Sequence, residues 1–139
     1  MLAFNGWPMP ASQGDLEEGK VTDSALFIRW GAPAPGRERK SVELFGESLR
    51  FLTGMVTSGQ VASVEPFFLQ PHGGDLEGFF IVRGDRTELH KIRSSDEFQR
   101  LQVRAQAVIQ NFGVIEAITG EQLNKHMAWF SEAAKEAGS

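Results

Sequence analysis

The 139-residue chain contains no cysteine. That absence excludes disulfides, thiolate catalysis and cysteine-based metal sites. Its three histidines, His72, His90 and His126, are too few and too scattered for a recognisable ligand set. None falls in an HExxH spacing, so no metal is expected. Fourteen Lys and Arg stand against eighteen Asp and Glu, for a net charge of −4, and like charges do not cluster in runs. The basic footprint of a nucleic-acid-binding protein is therefore missing. No apolar run approaches the roughly 20 residues that a spanning helix needs. The first residues lack the basic start and apolar centre of a secretory signal. These absences lead to the expectation of a cytoplasmic protein with no nucleic-acid or membrane partner. Gly73, Gly74 and Gly78 match neither GxGxxG nor a P-loop, and a strand rather than a helix follows them, so they give no support to phosphate binding. No cofactor is expected.

What remains is a chain with 41% hydrophobic and 23% charged residues, ordinary for a globular domain and long enough to bury one core. Its organising stretch is residues 60–84, QVASVEPFFLQPHGGDLEGFFIVRG. Two runs rich in Val, Ile and Phe, 61–70 and 76–83, flank a Pro-His-Gly-Gly-Asp turn, which is the signature of a hairpin. Pro66 cannot donate to a ladder and places its strand at a sheet edge. Upstream, 24–30 (SALFIRW) alternates as a short strand, and GAPAPG at 31–36 must be a loop. Val42, Phe45, Leu49, Leu52 and Val56 recur at helical spacing over 38–58, with Gly59 placed to end the helix. Asp85 with Glu88, Ser94 with Glu97, and Thr119 with Gln122 have capping-box spacing. They open a short helical turn, a longer helix with Phe98, Leu101, Ala105 and Val108 inward, and a terminal helix carrying Leu123, Met127, Phe130 and Ala134. A fourth strand covers 112–119. Residues 1–23 lack periodicity and form either a flexible N-terminal arm or a segment that docks Phe4 and Trp7; 24–139 form the domain.

The order β-α-β-β-α-β-α predicts an α+β ferredoxin-like fold with an extra C-terminal helix and an antiparallel four-stranded sheet in the order 4-1-3-2. Alternation assigns Leu26, Ile28, Val64, Phe68, Phe80, Val82, Ile115 and Ala117 to the helix-covered face. It assigns Phe27, Arg29, Glu65, Phe67, Glu77, Phe79, Ile81, Arg83, Val114, Glu116 and Ile118 to the open one. So many large apolar residues on an uncovered face point to a second sheet packed against it, as a symmetric homodimer supplies.

The segments PHGGDLEGFFIVRGD, SSDEFQR and RAQAVIQNFGVIEA resemble a group of uncharacterised bacterial proteins in the dimeric α/β-barrel superfamily. The resemblance implies the fold and the dimer, and brings no activity with it. YCII-related domains are more distant relatives by architecture; they carry a His shortly after the first strand, where this chain has GAPAPGRERKS.

Three functions are compatible with this sequence. One is a small-molecule-binding protein whose ligand-binding residues are Phe27, Arg29, Phe67, Glu77, Phe79, Ile81 and Arg83 on the open face. Another is a cofactor-independent isomerase, lyase or oxygenase. In that case a carboxylate among apolar rings, Glu65 or Glu116, acts as general base, or His72 does so with Asp75 orienting its imidazole. A third is a structural or regulatory dimer, in which the open-face charges pair at the interface and His72 and Asp75 are turn residues.

Overall fold

The computed structural model describes residues 22–138, so the arm expected over 1–23 lies outside the described residues except for Thr22 and Asp23. Strands β1 (Ser24–Trp30), β2 (Ser63–Phe68), β3 (Gly78–Gly84) and β4 (Gly113–Ile118) form one sheet in the order β2-β3-β1-β4. Every pairing is antiparallel. Helix α1 (Glu38–Thr57) joins β1 to β2. Two helices, α2 (Arg86–Ser94) and α3 (Asp96–Val108), join β3 to β4, and α4 (Gly120–Glu136) follows. This is the ferredoxin-like β-α-β-β-α-β arrangement with an additional C-terminal helix. Pro66 does sit on an edge strand, β2, where its missing N–H costs the sheet no interior ladder bond.

Local chemistry sets the element boundaries. Gly59, at φ 83°, takes the left-handed conformation that ends α1, and its N–H bonds the Val56 carbonyl at 3.0 Å. The Asp85 carboxylate accepts the Glu88 N–H at 3.2 Å and starts α2. The expected cap at Ser94 moves by one residue. Ser95 accepts the Phe98 N–H at 3.2 Å while its hydroxyl donates to Ile92 at 2.7 Å, so one side chain closes α2 and opens α3. Thr119 precedes α4, but its hydroxyl donates to the Thr22 carbonyl at 2.7 Å instead of capping the helix.

The core lies between one sheet face and the helices. Leu26, Ile28, Val64, Phe80 and Val82 meet Leu52, Leu89, Ile92 and Phe98 there, each fully buried side chain contributing about 1.5–3 kcal/mol. Gly78 lets β2 and Trp30 close in: an added Cβ would lie 2.5 Å from the Phe67 carbonyl oxygen and 2.6 Å from the Trp30 ring.

The expected faces hold for β1, β2 and β3, but β4 is inverted. Glu116 is paired with Leu26 and Val114 with Ile28, so both belong to the helix side, as does Ile118 beside Ser24. Ile115 and Ala117 pair with Phe27 and Ala25 and lie on the open side. Both faces of this strand are largely apolar, so alternation alone could not choose between them, and a one-residue change of register exchanges the faces completely. Because β4 is an edge strand, Glu116 remains exposed on the helix side. Val114 packs against the core, and its carbonyl accepts a hydrogen bond from Arg93 of α2 at 3.2 Å.

Helix α4 buries none of its residues. Leu123, Met127, Trp129 and Phe130 are 44%, 56%, 55% and 69% exposed.

Candidate functional site

The open sheet face is built from three cross-strand rows, each running β2, β3, β1, β4. Ser63, Arg83, Ala25 and Ala117 form the first, and Glu65, Ile81, Phe27 and Ile115 the second. Phe67, Phe79, Arg29 and Gly113 form the third. The Phe79 ring lies 4.8 Å from both Phe27 and Phe67, giving a continuous aromatic floor across three strands. Such tilted and stacked pairs are each worth about 0.5–1.5 kcal/mol beyond their buried area.

Charges stand at two corners of that floor. Glu65 accepts from Arg83 Nε at 3.2 Å, and the Glu65 side chain is 8% exposed against 30% for Arg83. The carboxylate is thus largely out of water, and one guanidinium compensates it. At the diagonal corner Arg29 Nε donates to the Asn111 carbonyl at 3.1 Å, and Nη2 reaches Asp75 at 3.5 Å. Asn111 adopts a left-handed backbone conformation (φ 55°) that Asn tolerates, at the turn leading from α3 into β4. The Arg29–Asp75 contact is long and Asp75 is 70% exposed. A guanidinium has five N–H donors, so Arg29 keeps donors available for an incoming anion.

The other candidates are dispersed. His72 lies in the β2–β3 loop, where Nε2 donates to the Leu76 carbonyl at 2.6 Å and Nδ1 accepts from the Gly74 N–H at 3.2 Å. Both ring nitrogens are therefore engaged within the turn, and Asp75 pairs with Arg29 instead of orienting the imidazole. Gly73 takes the positive φ (84°) that the reversal requires. Glu77, assigned from the sequence to the open face, lines a pocket of about 290 Å³ with Trp30, Phe45, Phe68 and Ile109, toward the α1 side of the sheet. Glu116 lies on the opposite face from Glu65. Of the sequence-based set, the structure brings together Phe27, Arg29, Glu65, Phe67, Phe79, Ile81 and Arg83, with Asp75 at the margin. Ile115 joins them and was missed, because the inversion of β4 put it on the wrong side.

Among the described residues, no group of three or more His, Asp or Glu side chains could hold a metal ion. No described helix is long and apolar enough to cross a membrane.

No family model matches the chain, and no curated protein matches it. Solved structures do. A dimeric protein of unknown function and ferredoxin-like fold from Bacteroides fragilis superposes with a TM-score of 0.52 at 4% identity, covering 70% of this chain and 97% of its own. An ethd family protein from Bacillus halodurans gives 0.53 at 10% identity, over 70% and 98%. At these identities the likeness is one of fold.

Proposed function

We propose that this protein is a homodimeric α/β barrel that binds a small planar organic acid between the open sheet faces of its two copies. The observation that carries this is the Phe27–Phe79–Phe67 floor, with Arg29 at one corner and the buried Glu65–Arg83 pair at the other. A flat apolar body would lie on the rings, and its carboxylate would take the remaining Arg29 donors as the exposed Asp75 swings aside. The Glu65–Arg83 pair is already neutralised and closes the far end without attracting a second charge. The dimeric description of the Bacteroides fragilis protein and the resemblance to uncharacterised dimeric barrels agree with the assembly.

The same geometry favours holding a ligand over moving a proton. Glu65 is tied to Arg83, both nitrogens of His72 are bonded within its turn, and Glu116 is on the other face.

Thermal-shift titration with benzoate and 2-naphthoate, with benzylamine as the control, tests the proposal. The acids should raise the melting temperature and the amine should not, and Arg29→Met should remove the gain. Failure of both acids to shift an intact dimer, or an unchanged shift in Arg29→Met, contradicts it.

A further inference from the structure

Helix α4 is 17 residues long and buries no residue of its own. In proteins most of a helix's stability comes from packing of its apolar face. Leu123, Met127 and Phe130 recur at i, i+4 and i+7, which places them on one side of the helix. All three are 44–69% exposed; Trp129, about 100° round the helix from Phe130, is 55% exposed with its ring 5.0 Å from His126. The root of the helix is fixed, because Thr119 bonds the Asp23 carbonyl through its N–H and the Thr22 carbonyl through its hydroxyl. The helix therefore starts from a firm corner of the sheet, beside β1 and β4, with its apolar side unsupported by the described residues.

We infer that α4 is a dimerisation arm whose apolar side packs against a second copy of this chain. The area involved argues for that occupant. A stable protein–protein interface removes about 800 Å² per partner from water. On the open face only Phe67 and Ile115 are strongly exposed, at 40% and 48%, and the remaining apolar residues are half-buried or buried. With aromatic side chains presenting about 150–250 Å² each when fully accessible, that face offers on the order of 350 Å². Phe130, 69% exposed, adds about 100–170 Å² on the same scale, and Leu123 and Met127 beside it bring the arm to an amount comparable with the face itself. The sheet face alone would make a small interface, and the arm brings the combined area closer to the usual size. Both patches are on one chain, so a two-fold axis satisfies them twice over. This inference rests on the proposed dimer, but the dimer does not require it.

Phe130 is replaced by photoreactive p-benzoylphenylalanine, chains of natural isotope composition are mixed with ¹⁵N-labelled chains, and the mixture is irradiated. Native mass spectrometry of the same sample gives the subunit count. Cross-linked peptides should contain one labelled and one unlabelled partner. Cross-links within single chains of an otherwise intact dimer overturn the arm and leave the dimer standing; a monomer overturns both. As a second measurement, Met127→Asp with Phe130→Asp should weaken dimerisation by 10-fold or more, and an unchanged dissociation constant contradicts the arm. Co-sedimentation of the wild type with phosphatidylcholine–phosphatidylglycerol vesicles, lost in that double variant, would assign the apolar side to a lipid surface and also overturn it.

Discussion

Replacing Arg83 by Met removes the cation that bonds Glu65 while keeping the length of the side chain. The Glu65 side chain is 8% exposed, so water cannot readily take over the lost hydrogen bond. Breaking a fully buried ion pair in this way costs about 3–5 kcal/mol. Arg83 is 30% exposed, and the space it vacates admits some water, which reduces the expectation to about 2 kcal/mol. Urea unfolding followed by circular dichroism measures the change, provided the slope with denaturant is preserved. The companion variants are Glu65→Leu and the double substitution Glu65→Leu with Arg83→Met. The double variant leaves no buried charge and should recover most of the loss, because well-packed apolar replacements of an ion pair are often neutral. The cycle should yield a coupling above 1 kcal/mol. If Arg83→Met costs less than 0.5 kcal/mol, or the double variant is no better than the single one, Glu65 is solvated in solution and the corner of the site is wet.

Gly78→Ala should destabilise the fold by about 2 kcal/mol, because the new Cβ meets backbone and an indole ring that have no room to retreat; thermal unfolding reads this directly. At the surface, the two hydrogen bonds from Arg104 to Glu47, at 2.9 and 2.7 Å, hold the Glu47 carboxyl below its ordinary value of 4.5. A carboxylate whose folded pKa is depressed contributes stability above its unfolded pKa and loses it as pH falls through the folded one. Glu47→Gln should therefore match the wild type in strong acid and fall slightly below it from pH 5 upward, in paired unfolding curves. His72→Ala should leave the benzoate or naphthoate gain within twofold, since its ring nitrogens serve only the turn; loss of that gain would return His72 to the site.

Element order, the edge position of β2 and the topology were legible because each had a local physical signature. Pro66 lacks a donor, Gly59 marks a helix end, and the hairpin strands alternate cleanly. The aromatic floor was legible for the same reason, since β1, β2 and β3 each carry a distinct apolar side. β4 lacked that contrast. Val114 and Ile118 on one side and Ile115 and Ala117 on the other are both apolar sets, and Glu116 suggested the solvated side, whereas the edge of a sheet leaves a charge exposed on either face. Side-chain partners were not legible at all. Asp75 turned to Arg29 and His72 to its own backbone because the β2–β3 loop folds back toward β1, where the Glu77 N–H bonds the Trp30 carbonyl at 2.9 Å. The apolar spacing of α4 was visible, but not that its own domain would leave it uncovered.

Native mass spectrometry of the wild type beside Phe79→Asp tests the central claim most directly, because Phe79 is the ring shared by both aromatic contacts of the open face. A two-fold interface would bring two such aspartates into the same dry space, so the wild type should be a dimer at micromolar concentration and the variant a folded monomer. A wild-type monomer, or a variant that dimerises as strongly as the wild type, would contradict the account.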